Sequence, residues 1–139
     1  MISSVSMCVI EGTVLDVAVD LRRASPTFGK HVAVELSGEN KRQLMIPRGF
    51  AHGFSVLSKT ALFTYKCDNF YNKASEVGLL FNDPDVGVDW KVSADKVVLS
   101  DKDKINPSLP ELLNRSVNVK SLVKSSFVYL KKKQRKLVP

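Results

Sequence analysis

The run Ile46-Pro47-Arg48-Gly49-Phe50-Ala51-His52-Gly53-Phe54-Ser55-Val56-Leu57-Ser58-Lys59-Thr60-Ala61-Leu62-Phe63-Thr64-Tyr65 decides how the rest of the chain is read. Pro47 and Gly49 mark a turn. Two short segments rich in Val, Phe, Leu, Thr and Tyr follow on either side of Ser58-Lys59, the pattern of a β-hairpin. A two-residue loop there opposes His52 to Tyr65 on one face, with Cβ atoms ~5 Å apart. A three-residue loop opposes His52 to Lys66 instead and turns Tyr65 to the other face.

Working outward, the same period of two recurs. Leu15, Val17, Val19 and Leu21 alternate with Val14, Asp16, Ala18 and Asp20, which predicts a half-buried strand over 14–21. Arg22 to Gly29 is a loop with Pro26 and Gly29 as breakers. His31 to Leu36 alternates again, Ser37-Gly38-Glu39-Asn40 is a turn, and Gln43 to Ile46 is a short strand. Beyond the hairpin, Val77 to Phe81 and Val97 to Leu99 read as strands, separated by the turn Asn82-Asp83-Pro84-Asp85. Many short strands between turn signals predict an all-β sandwich or barrel.

The net charge of +7 is unevenly placed. Residues 1–111 carry 13 Lys+Arg against 14 Asp+Glu, whereas residues 112–139 carry 8 Lys+Arg and no acid. The expected division is therefore a β-domain over 1–111 and a basic tail, helical or irregular, over 112–139. At 139 residues the chain suffices for one domain with a real core. No stretch approaches the ~18 apolar residues of a membrane helix. Met1 to Ser6 lacks the basic start and apolar run of a signal peptide. Cys8 and Cys67 do not make a disulfide framework, so the expectation is two reduced thiols in a cytoplasmic protein.

Several motifs together carry a resemblance. "IPRGFAHGFSVLSKTALFTYK", "EGTVLDVAVDLRRASPTFGKHVAVELSGENKRQL", "FNDPDVGVDW" and "LSDKDKINPSLPEL" stand in one order from about Cys8 to Leu112. This pattern resembles the dTDP-4-dehydrorhamnose 3,5-epimerase family, which carries Ile-Pro-x-Gly-Phe-Ala-His-Gly-Phe followed by Tyr-Lys. The resemblance implies a cupin-type jelly roll lacking its first strands. It also implies a cofactor-independent reaction on a dTDP-4-keto-6-deoxyhexose: protons α to the ketone leave and return on opposite faces through an enolate. Such chemistry needs a base, an acid and a donor to the oxyanion.

Carried over residue by residue, Tyr65 matches the family's acid and Asp103 the aspartate that orients its base. His52 matches a substrate-contacting histidine, and Lys102 a basic residue near the phosphates. Tyr71 falls where the family stacks an aromatic on thymine, and Glu76 where it contacts substrate. Without the resemblance, Tyr65 and His52 would read as satisfied strand residues, Ser100 to Asp103 as a solvated turn, and Tyr71 and Glu76 as ordinary loop residues. The family's base histidine lies in a Gly-Leu-His-x-Gln strand, and a lysine falls near the position of Val5; neither occurs in this sequence.

Two readings follow: an epimerase of deoxysugar-nucleotide metabolism, or a non-catalytic sugar-nucleotide binder or remnant jelly roll. The intact family forms homodimers with N-terminal strands crossing between subunits. A cupin metal site is not expected, because only His31 and His52 are available as imidazole ligands. Nucleic-acid or membrane-surface binding through Lys131 to Lys136 is disfavoured. The body is slightly acidic, and only Phe127 and Tyr129 are interleaved near the basic run.

Overall fold

The computed structural model describes residues 4–68, 78–99, 101–114 and 128–132. Its first strand, β1 (Val5–Glu11), turns through Gly12 into β2 (Thr13–Asp20), followed by β3 (His31–Ser37), β4 (Gln43–Ile46), β5 (Phe50–Val56) and β6 (Leu62–Cys67). A short 3-10 turn at Ala94–Lys96 leads into β7 (Val97–Val98); the helices α1 (Asp101–Lys104) and α2 (Leu109–Asn114) and the strand β8 (Val128–Lys132) complete the order. The strands form two sheets, β4-β1-β6 and β3-β2-β5-β8-β7. Neighbours are antiparallel except β5 and β8, which run parallel.

Alternation along β1 sends Val5, Met7 and Val9 inward, where Met7 and Val9 pack with Val14, Leu36, Phe54 and Val56 of the second sheet. Val5 meets Ala18 and Ile46. The other face of the second sheet is covered as well. Leu15, Val17, Val19 and Ala51 pack under Leu79, Val86 and Leu109, from the irregular segment 78–90 and the start of α2. Strand β2 therefore has a neighbour on each side and a layer above and below.

That placement corrects the half-buried strand expected over 14–21. The polar residues of the alternation, Asp16 and Asp20, are buried like the apolar ones. A buried carboxylate is costly without hydrogen-bond donors, and each has found some. Asp20 accepts from the backbone N–H and side chain of Arg22 and from the hydroxyls of Ser25 and Thr27, which moulds the loop after β2.

The β5–β6 hairpin is also corrected. Strand β5 pairs with β2 and β8, while β6 pairs with β1 in the other sheet. Ser58-Lys59 has neither the Gly nor the Asn that a tight two-residue hairpin loop demands. The chain instead crosses between sheets: Leu57 N–H donates to Thr13 O at 2.9 Å, and Ser58 Oγ accepts from Thr13 N–H at 2.9 Å. The β1–β2 crossing abuts it. Gly12 has φ +84, and a Cβ there would strike the carbonyl of Thr60.

Two further expectations change. Residues 78–80 form no strand: Leu80 N–H donates to Pro107 O at 2.9 Å, and Gly78 lies against the side chain of Asn106. The backbone N–H of Leu80 is spent on this loop contact rather than on a neighbouring strand. The tail is not wholly helical or irregular, since residues 128–132 form β8, paired with β5 through Gly53, Phe54 and Ser55. Among the described residues no helix is long and apolar enough to cross a membrane.

Candidate active site

Register decides which side chains can meet. On β5 and β2, Phe54 stands opposite Asp16 and His52 opposite Ala18, so all four project from one face. Phe54 and Ala18 pack against residues of β1, β4 and β6, which makes this the face toward the other sheet. On the opposing wall, Tyr65 stands opposite Met7 and Phe63 opposite Val9. Met7 and Val9 are core residues. Tyr65 therefore belongs to the inward side of its own sheet, near the free edge of β6, where 52% of it remains exposed. His52 and Tyr65 thus stand on the inner faces of different sheets, either side of the intersheet interval, rather than side by side on a single ribbon. Phe54 and Phe63 close that interval edge to face, with ring centroids 4.9 Å apart.

His52 is not an isolated imidazole. Its Nε2 is hydrogen-bonded to Asp16 Oδ1, and both side chains are 0% exposed. A carboxylate oxygen only accepts, so the contact is made by the tautomer that carries its proton on Nε2 when Asp16 is the acceptor. The sequence alone did not single out Asp16; the available signal was an aspartate in an otherwise almost wholly apolar strand.

Asp103 is buried at 3% within α1, while Asp101 on the same turn is exposed. The solvated turn that composition alone suggests does not describe Asp103. Lys102 lies on α1 by its main chain. Tyr71 and Glu76 lie outside the described residues. A small hollow of about 20 Å³ lies among Val17, Val19, Leu79 and Trp90 and is bordered by Ala51, His52 and Gly53 of β5. It has room for roughly one water and not for a sugar.

The entrance to β5 is fixed by charge. Arg48 donates to Asp68 Oδ2 at 2.7 Å, and Asp68 accepts from the N–H and hydroxyl of Ser4. The Arg48 guanidinium, with help from Ser4, lowers the Asp68 carboxyl to about 2. The turn before β5, the end of β6 and the residue preceding β1 are thereby tied together. Among the described residues no three His, Cys, Asp or Glu side chains are placed to hold a metal ion.

A family model described as dTDP-4-dehydrorhamnose 3,5-epimerase matches residues 4–111. The chain is 58% identical over 96 residues to the dTDP-4-dehydrorhamnose 3,5-epimerase of Shigella flexneri, an alignment covering 69% of this chain and 51% of that protein. Its fold is similar to the crystal structure of dTDP-4-dehydrorhamnose 3,5-epimerase from Elizabethkingia anophelis, with TM-score 0.77, 54% identity and coverage of 78% of this chain and 60% of that one. It is similar too to dTDP-6-deoxy-D-glucose-3,5-epimerase from Legionella pneumophila, solved in complex with dTDP-4-keto-L-rhamnose. Here the TM-score is 0.76 and the identity 42%, over 95% of this chain and 63% of that one. The chain spans about half the length of the curated relatives it matches. The two-sheet roll is the cupin-type jelly roll expected from the sequence, and by sequence and fold together the chain belongs to the dTDP-4-dehydrorhamnose 3,5-epimerase family.

Proposed function

We propose that this chain acts in the epimerisation of a dTDP-4-keto-6-deoxyhexose at carbons α to the ketone, in deoxysugar biosynthesis. The observation that carries the reading is the placement of Tyr65 and His52 on facing walls of one intersheet interval. Inversion at carbon requires removal of a proton from one side of the ring and delivery to the other, and Tyr65 on the inner face of its sheet matches the delivering group. In this reading Tyr65 is the acid that returns the proton and His52 touches the sugar. Asp103 matches the aspartate that orients the family's base histidine, a residue whose Gly-Leu-His-x-Gln segment these 139 residues do not contain. Tyr71, Glu76 and Lys102 hold the nucleotide and sugar. No cofactor is required: the carbonyl already acidifies the neighbouring C–H bonds, and the protein contributes proton transfer and oxyanion stabilisation.

Residues 1–111 form the catalytic unit in this proposal, and the protein works as a cytoplasmic homodimer. The thiols of Cys8 and Cys67, which are not joined in a disulfide, are in keeping with a reducing compartment. The test is solvent-deuterium incorporation at C3 and C5 of the dTDP-4-keto sugar, run beside calorimetric binding of dTDP. Exchange above background supports the epimerase.

A second reading has its own observation. The Gly-Leu-His-x-Gln segment that carries the base in the family does not occur in these 139 residues. Binding of dTDP with no exchange selects a non-catalytic sugar-nucleotide binder.

A further inference from the structure

Two aspartates, four residues apart on the same face of β2, are both buried, yet they are used differently. Asp20 has both oxygens engaged by a local loop and acts as its hub. Asp16 has one oxygen on His52, and its Oδ2 has no hydrogen-bond partner among the described residues. No loop is shaped around it, and its neighbours along that face, Val14 and Ala18, belong to the apolar core. Replacing a buried polar pair of this kind with apolar residues of similar volume is commonly neutral or stabilising. The pair as a whole is therefore weak evidence of a stability role for Asp16. A buried, half-satisfied carboxylate on an imidazole is instead the arrangement that sets a histidine's tautomer and ring orientation.

We propose that Asp16 is a positioning residue for His52. Its carboxylate accepts the Nε2 proton, which leaves Nδ1 as the acceptor nitrogen of the neutral ring. Any ligand group that meets Nδ1 then meets a lone pair in a fixed direction, and a hydroxyl is the matching chemistry. Resting on the function proposed above, the ligand is the 4-keto hexose ring and the contact is to one of its hydroxyl groups. Asp16 thus adds selectivity for the sugar, while nucleotide binding is independent of it.

The full 139-residue chain with ¹⁵N-labelled histidine is used for the test, with His31 as internal reference. Long-range ¹H–¹⁵N correlation spectra report which ring nitrogen carries the proton. The wild-type His52 is expected as the Nε2–H form. Asp16→Asn, whose amide can either accept or donate, is expected to populate the Nδ1–H form, and Asp16→Glu to restore the Nε2–H form. In parallel, Asp16→Asn should weaken binding of the dTDP-4-keto-6-deoxyhexose by roughly tenfold or more while leaving dTDP affinity unchanged. An Nδ1–H wild-type ring overturns the proposal. So does an Asp16→Asn variant whose tautomer or sugar preference stays as in wild type. Should Asp16→Asn not fold, the wild-type tautomer and the Asp16→Glu affinity ratio decide. If wild type binds neither nucleotide, the epimerase reading fails, and the tautomer spectra still decide the role of Asp16.

Discussion

Phe54 on β5 and Phe63 on β6 meet edge to face across the two sheets, centroids 4.9 Å apart at an interplanar angle of 66°. Consecutive strands are here divided between opposite walls, and this contact is a direct stitch between them. Phe54 is 2% exposed, so Phe54→Ala removes a full core side chain and leaves a cavity. The expected destabilisation is about 3–5 kcal/mol, read as a shift in the urea unfolding midpoint. Phe63 is only partly buried, and Phe63→Ala is expected to cost less. Equal losses would contradict this account of the packing.

Asp20 makes stability depend on acid. The Arg22 side chain, then the Ser25 and Thr27 hydroxyls, hold its carboxyl well below the usual carboxylate range despite burial. A depressed folded pKa gives stability that is complete above the unfolded value of ~3.9 and is lost as pH falls toward the folded one. Asp20→Asn is expected to destabilise by about 2–3 kcal/mol at neutral pH. The gap between wild type and variant should narrow below about pH 4. A gap that stays constant down to about pH 2 would remove the charge from the explanation.

Asp68 offers a cleaner titration because it is reachable by solvent. Carbon-13 NMR of its carboxyl should give a midpoint of about 2 in the wild type. Arg48→Gln is expected to raise that midpoint toward ~3.9, without reaching it while Ser4 still donates. Added salt should move the wild type in the same direction.

Tyr65→Phe separates chemistry from folding. Loss of the phenol is expected to reduce deuterium incorporation into the keto sugar by about 10²–10⁴-fold. The unfolding free energy should change by no more than about 1 kcal/mol. Unaltered exchange would take the acid's role away from Tyr65.

Much of this molecule was legible from residues alone. His31, Gln43 and Val97 were read as strand starts, and each begins a strand. The failures share one cause: alternation reports a pleat but not how many layers surround it. Asp16 and Asp20 resembled a solvent face because nothing local says that β2 lies centrally between two packed layers. His52 and Tyr65 resembled neighbours because Ser58-Lys59 gives no sign that the chain changes sheets there; the cue is the absence of a Gly or Asn. The buried state of Asp103 was likewise beyond reach, since a four-residue helix has too little pattern to show which side it hides. Of the candidate residues, Tyr65, His52 and Asp103 were named through family motifs, and Asp16 only through its contact with His52.

Because the phenol and the imidazole sit on separate sheets, no single strand sets the gap between them. The thickness of the packing does. Side-chain volume at Met7, Phe54 and Phe63 acts as the spacer of a caliper whose two jaws carry the polar groups. Conservative changes there, such as Met7→Leu or Phe63→Leu, would adjust jaw spacing while leaving every polar residue in place.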